Sequence, residues 1–248
     1  MIRIKTAEQI EGIRKSSQLA AQTLVHLEQF AQPGVSTATI DQEADTYIRD
    51  HGAIPACLGY RGFPKSICTS LNEVICHGIP SEYILKEGDI LNIDVTTILD
   101  GYFGDTCKMY PIGAITSKAQ GLLETTKECL ELGIKECKPN NLFGNIGFAI
   151  NKHATSLGFS VVYQFVGHGV GLEFHEEPNI NHVARRNTGE VMRAGMIFTI
   201  EPMICTKAPD AVILEDGWTA VTKDGGLSAQ YEHTILITDD GHEVLTLL

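Results

Sequence analysis

The apolar positions of the chain follow a helical period in four stretches and a strand period between them. The first helical stretch begins after Thr6, which forms a capping-box pattern with Gln9, and it stops near Pro33 and Gly34. This spacing predicts a long amphipathic helix at the start of the chain. Its apolar face carries Ile10, Ile13, Leu19, Leu24 and Leu27.

Three further helices are predicted from the same kind of signal. The second runs from Thr37 to His51 and is closed by Gly52. The third is opened by Ser117 with Gln120 as a capping box and runs toward Pro139, and the fourth covers residues 142–157. Strands occupy the intervals between the helix pairs, so the pattern predicts an α+β protein.

Two halves of the chain resemble each other. Residues 88–94 and 195–201 share a glycine, two isoleucines and a final carboxylate at the same offsets, and residues 75–79 resemble residues 166–170 around a central histidine. Two matches in the same order indicate a duplicated α+β unit. We expect pseudo-repeat halves of about 1–114 and 115–248 within one domain, because no linker or charge block divides the chain.

The run from Ile90 to Ile98 alternates as a strand with one apolar and one polar face. The apolar face carries Leu91, Ile93 and Val95, and the polar face carries Asn92, Asp94 and Thr96. The dipeptide Asp100–Gly101 then predicts a two-residue hairpin turn that pairs Leu99 with Tyr102. This register places Asp94 opposite Cys107 and Asp105 opposite Thr96.

In that register the two aspartates are diagonal neighbours on one face, roughly 7 Å or less apart at Cβ. Such close carboxylates repel each other unless they share a proton or bind cations. In the second half, Glu201 lies on the polar face of a strand, and Glu232 lies on that of the run from Ala229 to Ile237. If the halves face each other, these four acids and His168 provide ligands for two divalent ions about 3.5–4 Å apart.

Composition narrows the classes of function. Acidic residues outnumber basic ones 31 to 19, for a net charge of −12, which disfavours a nucleic-acid partner. The seven cysteines form no CxxC pair, which is typical of reduced cytosolic thiols. Because no 18 apolar residues run together and the N-terminus has no apolar segment, we expect a soluble cytoplasmic protein without membrane association. The GxGxxG, HExxH, GxSxG and P-loop patterns are all absent.

Several motifs resemble those of type I methionine aminopeptidases, which belong to the pita-bread metallopeptidase superfamily. They cover nearly the whole chain in the family's order and spacing. The motifs comprise residues 58–66, 70–80, 92–94, 104–106, 167–171, 174–178, 199–202 and 227–234. The resemblance implies the pita-bread fold, in which pseudo-two-fold duplicated helix pairs cover a curved antiparallel sheet, and it makes residues 1–248 one catalytic domain.

The resemblance also implies roles for individual residues. Asp105 and Glu232 bridge two metal ions, Asp94 binds one ion, and His168 and Glu201 bind the other. Two histidines, His77 and His175, contact the substrate and the tetrahedral intermediate. The methionine pocket comprises Cys57, Tyr60, Phe63, Cys68, Phe174 and Trp218, and a monovalent-cation site comprises Asn72, Val74 and Ser228. One departure, Cys205 in place of the Asn of many relatives, touches none of the ligand positions.

The implied activity is removal of the initiator methionine from nascent polypeptides that have a small second residue. Water activated by two divalent ions (Co, Mn, Fe or Zn) attacks the peptide bond, and Glu201 moves the proton. The partners are nascent N-termini, and the protein acts as a monomer. The ribosome is a further candidate partner, although no basic patch supports it.

Three alternatives compete with this interpretation. An X-Pro dipeptidase or creatinase-like enzyme shares the fold but usually carries an extra N-terminal domain, whereas only 93 residues precede Asp94 here. A type II methionine aminopeptidase needs a helical insertion for which the second half has no room. A non-catalytic peptide-binding member of the fold typically loses metal ligands, and none is lost here.

Overall fold

The computed structural model describes all residues, 1–248, and confirms the four helices. They are α1 (Ala7–Leu27), α2 (Thr37–Asp50), α3 (Ser117–Lys135) and α4 (Gly144–Ser156). The capping box of Thr6 and Gln9 is present. None of the helices combines the length and the apolar character needed to cross a membrane.

Three helix boundaries differ from the predicted ones. Helix α1 ends before Pro33, because the chain tightens into a 3₁₀ turn over Glu28–Phe30. Helix α3 is capped by Thr116 rather than Ser117, since the Thr116 side chain accepts the backbone N–H of Ala119. Helix α4 begins at Gly144, two residues later than predicted.

Fifteen short strands form four sheets, and all of their pairings are antiparallel. The strands are β1 (Ile54–Pro55), β2 (Cys68–Leu71), β3 (Val74–Cys76), β4 (Ile90–Leu99), β5 (Tyr102–Pro111), β6 (Ser160–Val161), β7 (Gly167–Gly169), β8 (Glu176–Ile180), β9 (Ile197–Ile200), β10 (Met203–Cys205), β11 (Ala211–Ile213), β12 (Ala220–Thr222), β13 (Ser228–Gln230), β14 (His233–Ile237) and β15 (His242–Val244). The sheet orders are β1-β4-β2 with β5 beside β4, β13-β10-β6, β11-β12-β3, and β15-β14-β9-β7-β8.

The predicted hairpin between β4 and β5 is confirmed in its register. Leu99 pairs with Tyr102, so that Asp94 lies opposite Cys107 and Asp105 opposite Thr96. The apolar face of β4 packs into a core shared with α1 and α2. The polar face is turned inward as well, toward the second half of the chain.

The predicted continuous strand over residues 229–237 is wrong. It is divided into β13, which pairs with β10, and β14, which pairs with β9. Glu232 lies in the gap between them, and Glu201 lies in the matching gap between β9 and β10. Pro202 explains part of this break, because it has no N–H to continue the ladder of β9.

The two halves are built alike and are joined by backbone pairing. Helices α1 and α2 cover the β4–β5 hairpin, and helices α3 and α4 share a core with β9, β10, β13 and β14. Strand β3 of the first half pairs with β12 of the second. The confirmed arrangement of duplicated helix pairs over antiparallel sheet thus places the polar faces of both halves against each other. The single catalytic domain over 1–248 stays a prediction.

Helix α1 lies unusually close to β5, and Gly104 makes this approach possible. A Cβ at Gly104 would lie 2.2 Å from the backbone nitrogen of Ser17. The same contact is stabilised by a hydrogen bond from the Thr97 hydroxyl to the Ser16 carbonyl at 2.9 Å. Glycine is therefore required next to Asp105 for steric reasons.

We predict that Gly104→Ala lowers the free energy of unfolding by about 1–3 kcal/mol, because the added methyl group forces helix and strand apart. Gly121→Ala is the matched control, since nothing lies within 4 Å of its Cβ position in α3. That control should raise the free energy of unfolding by about 0.5–1 kcal/mol. Urea denaturation checks both values, and equal effects of the two substitutions would contradict the steric argument.

Candidate metal centre and active-site cavity

Five side chains with metal-binding groups converge between the halves. Asp94 lies on β4, Asp105 on β5 and His168 on β7, whereas Glu201 and Glu232 occupy the gaps after β9 and before β14. Ligand atoms of Asp105, His168 and Glu232 all lie within 4.8 Å of one another. The Nε2 atom of His168 is 3.7 Å from Oδ2 of Asp105 and 3.6 Å from Oε1 of Glu201. The structure therefore brings four of the predicted ligands to within these distances, and Asp94 lines the same cavity.

Hydrogen bonds from neighbouring side chains orient the carboxylates of Asp105 and Glu201. The Thr96 hydroxyl donates to Oδ1 of Asp105 at 2.8 Å, and the Thr199 hydroxyl donates to Oε1 of Glu201 at 2.7 Å. The Gln230 amide donates to Oε2 of Glu201 at 3.2 Å. Each of these bonds fixes the direction in which a carboxylate faces, as partners of metal ligands commonly do.

Two threonine hydroxyl groups form hydrogen bonds between the two halves at Asp105 and Glu232. The Thr106 hydroxyl donates to the carbonyl of Glu232, and the Thr234 hydroxyl donates to the carbonyl of Asp105, both at 2.7 Å. The bonds are reciprocal, since each half supplies one donor and one acceptor. They fix the backbones of the two carboxylates to which the resemblance gives a bridging role.

His168 is held in a single tautomer. Its Nδ1 lies 3.0 Å from the carbonyl of Gly169, which can only accept, so that Nδ1 carries the proton. Burial lowers the pKa of His168 to about 4. The ring is therefore neutral, and the lone pair of Nε2 faces the carboxylates, as a metal-binding imidazole requires.

The environment of the four carboxyl groups disfavours their ionised form. Burial raises the pKa of Asp94 to about 7, and it raises the pKa of Asp105 well above its usual range with help from the neighbouring Asp94 charge. Burial and nearby carboxylates raise the pKa values of Glu201 and Glu232 in the same way. No cationic side chain neutralises the group.

The donor set fits divalent cations. One oxygen of Asp94, Oδ1, is buried and has no hydrogen-bond partner. Buried polar atoms rarely lack a partner, and a cation satisfies a carboxylate oxygen directly. Four carboxylates and one neutral imidazole form the oxygen-rich, nitrogen-containing set that Mn, Fe, Co and Zn accept.

These groups form the floor of a cavity of about 670 Å³. The same cavity is lined by all six residues of the predicted methionine pocket. Phe63 meets Trp218 edge to face at 5.2 Å, and Tyr60 packs against Phe174 at 4.7 Å between ring centroids. Cys57 and Cys68 are buried against this group, which makes the wall apolar and polarizable.

Both predicted histidines lie in the cavity. The ring of His175 is 4.1 Å from that of His168, and its Nδ1 is 3.0 Å from the Tyr60 hydroxyl. His77 packs edge to face against Phe165. Burial in the cavity lowers the pKa values of His77 and His175, so both rings are neutral at pH 7.

The residues predicted for a monovalent cation lie outside the cavity. The carbonyl of Asn72 accepts the N–H of Ser228 at 2.8 Å, and Val74 lies two residues further along in β3. Cys205, whose Sγ is 3.6 Å from the Ser228 hydroxyl, lies beside this group and away from the ligand cluster.

Sequence reasoning assigned no role at the site to His182. His182 is 1% exposed, and its Nε2 accepts the backbone N–H of Glu201 at 3.2 Å. A lone histidine in a loop gives no signal for this role. The supporting residues Thr199 and Gln230, by contrast, precede Glu201 and Glu232 by two positions each, so the predicted strand alternation places them on the same faces as these acids.

Comparison with known proteins agrees with this geometry. The chain matches metallopeptidase family M24 over residues 11–239. It is 52% identical over 247 residues to methionine aminopeptidase A of Synechocystis sp., with 99% of this chain and 98% of the relative covered. It is 49% identical over 248 residues to the methionine aminopeptidase of Escherichia coli, with 99% and 94% covered.

Solved structures give the same result. The crystal structure of methionine aminopeptidase from Rickettsia prowazekii superposes with a TM-score of 0.98 at 45% identity, with both chains fully covered. A prolidase from Pyrococcus furiosus superposes with a TM-score of 0.76 at 23% identity over 65% of its length, which shows a common pita-bread fold alone. This chain belongs to metallopeptidase family M24 and, within it, to the methionine aminopeptidases.

Proposed function

We propose that this protein removes the N-terminal methionine from nascent polypeptides whose second residue is small. One observation carries the proposal: the metal-binding side chains form the floor of a cavity whose wall is an apolar pocket containing sulfur and aromatic groups. Full-length identity of about half to proteins named methionine aminopeptidase supports it.

We infer that the cavity floor holds two divalent ions. Asp105 and Glu232 would bridge them, Asp94 would bind one, and His168 and Glu201 would bind the other. Such ions acidify water and polarise a peptide carbonyl at neutral pH. We also infer a monovalent cation at Asn72, Val74 and Ser228, where it would stabilise the contact of β13 with the segment before β3.

The protein's own groups then move the proton and stabilise the developing charge. Glu201 would take the proton of the attacking water and pass it to the leaving amine. His175 would donate from Nε2, since in the tautomer whose Nδ1 accepts from Tyr60 the proton lies on Nε2. His77, which also lines the cavity, would donate to the oxygen of the tetrahedral carbon.

The pocket explains the choice of the first residue. An unbranched thioether would pack against the Phe63–Trp218 pair and the two cysteine side chains, and such sulfur–aromatic contacts are favourable. The second residue of the substrate would lie against the floor, where a large side chain displaces the scissile bond.

This function implies a monomeric enzyme that works in the cytoplasm on emerging chains. A direct contact with the ribosome remains part of the proposal, although the net charge of −12 provides no electrostatic support for it. No nucleic-acid or membrane partner is needed.

Asp105→Asn should abolish activity and reduce the bound metal, because an amide cannot bridge two cations or neutralise their charge. Folding should survive, since Thr96 can still donate to the remaining oxygen. The control is Asp239→Asn, which replaces an exposed carboxylate between β14 and β15. Metal analysis of purified protein together with peptide cleavage measures both effects, and two ions with normal turnover in the Asp105 variant would refute the metal assignment.

His77→Ala and His175→Ala should each retain the bound metal and lose kcat by roughly 10²-fold, the usual effect of removing one transition-state donor. Steady-state kinetics with parallel metal analysis checks this expectation. If either substitution chiefly strips the metal, that histidine is a ligand and the proposed division of roles fails.

A series of Met-Xaa-Ser peptides tests the specificity. We expect cleavage for Gly, Ala and Ser at the second position and refusal of Leu, Lys and Phe, because about 1 Å of displacement at the scissile bond can cost about 10²-fold. Peptides beginning with leucine should be cleaved more slowly than those beginning with methionine. Equal kcat/KM for Ala and Phe at the second position, or faster cleavage after leucine, would contradict the proposal.

A further inference from the structure

The segment before α1 buries a charged side chain next to the active site. Nζ of Lys5 lies 2.6 Å from Oε2 of Glu176, and the two side chains are only 1% and 3% exposed. Lysine and glutamate are almost never so fully buried unless they are paired. Neither Lys5 nor Glu176 has a role in the proposed chemistry.

The second oxygen of Glu176 organises the backbone around the cavity. Its Oε1 accepts the N–H groups of Leu172 at 2.7 Å and of Glu173 at 3.0 Å. Residues 172–176, which we call the His175 turn, are thereby closed by the carboxylate of their last member. Phe174 and His175 lie inside the turn and line the cavity.

The carboxylate remains ionised despite its enclosure. Burial acts to raise the pKa of Glu176, but the ammonium of Lys5 and the two backbone donors outweigh burial and lower it. The pair therefore functions as an ion pair with two further charge-assisted bonds, which is the condition under which buried charges are well held.

Lys5 itself is anchored to the sheet that carries the metal site. Its backbone N–H donates to the carbonyl of Gly195 at 2.8 Å, and Gly195 precedes β9, which leads to Glu201. The ammonium thus connects a fixed point of the five-stranded sheet with the His175 turn. Arg3 adds an exposed ion pair with Glu173 on the same turn.

We propose that Lys5 and Glu176 are positioning residues that hold Phe174 and His175 at the cavity. This inference rests on the proposed function for the roles of Phe174 and His175. Without Lys5, the buried Glu176 carboxylate would keep only a longer contact, of 3.9 Å, with the half-exposed guanidinium of Arg3. We expect it to turn toward Arg3 and water and to release the N–H groups of Leu172 and Glu173. The His175 turn would then move away from the cavity.

The test compares Lys5→Met with Arg14→Met in the full-length, metal-loaded protein. Arg14 is a matched control because its ion pair with Glu243 also joins the N-terminal region to a distant strand, yet neither residue lines the cavity. For Lys5→Met we expect kcat on a Met-Ala-Ser peptide to fall roughly 10-fold or more, since a displacement of about 1 Å can cost about 10²-fold. We also expect KM to rise and the preference for methionine over leucine to narrow, because Phe174 leaves the pocket, while metal content stays unchanged.

A double variant and a readout independent of activity complete the test. In Lys5→Met with Glu176→Gln no buried charge is unpaired and the amide oxygen can still accept both N–H groups, so most of the loss in kcat should be recovered. Amide exchange in peptides spanning residues 170–178, followed by mass spectrometry, should accelerate in Lys5→Met and not in Arg14→Met.

The inference would be overturned if the kinetics of Lys5→Met matched those of the unaltered protein, or if amide exchange in residues 170–178 were unchanged. It would also be overturned if kcat fell only in proportion to the unfolded fraction, with KM and the methionine preference constant. Loss of metal from Lys5→Met would overturn it as well. If the unaltered protein fails to cleave methionine peptides, the proposed function fails, whereas the exchange measurement still decides whether Lys5 holds the His175 turn.

Discussion

The arrangement of the site depends on the mutual repulsion of four buried carboxylates. Asp94, Asp105, Glu201 and Glu232 bring four carboxyl groups into one enclosed space without a cationic side chain among them. Burial raises the pKa of each group, and neighbouring carboxylates raise the pKa values of Asp105, Glu201 and Glu232 further. Divalent cations reverse the sign of this interaction, because they turn mutual repulsion into shared attraction. The threonine and glutamine donors behind the carboxylates have a complementary function, since they fix the direction of groups that would otherwise turn away from each other.

Duplication explains how the chain assembles such a site. Each half contributes an antiparallel strand pair covered by two helices, and each pair has one polar face. Opposing two such faces across a pseudo-two-fold axis buries both and makes the donors reciprocal, as the bonds from Thr106 to the Glu232 carbonyl and from Thr234 to the Asp105 carbonyl show. The halves are not identical at this site, because only the second contributes an imidazole, that of His168, to the cluster of metal-binding side chains.

Prediction from the sequence succeeded for features that depend on local periodicity. It failed for features that tertiary contacts determine. The β4–β5 register followed from Asp100–Gly101 and was right at every pair, because turn geometry and a buried face both specify it. The division of residues 229–237 into two strands was missed, since it depends on which partners β13 and β14 meet across the sheet. His182 and Lys5 could not be identified, because a single polar residue acquires its role only from what the fold places beside it.

Chemistry and specificity have separate structural sources in this molecule. Asp94, Asp105 and His168 lie on strands, where neighbouring ladders limit their movement, and Glu201 and Glu232 lie directly at strand ends. The pocket wall instead comes largely from connecting segments, including the turn with Phe174 and the loop with Trp218. Connecting segments change shape and sequence more easily than paired strands. The fold that this chain shares with a prolidase therefore does not by itself determine the substrate.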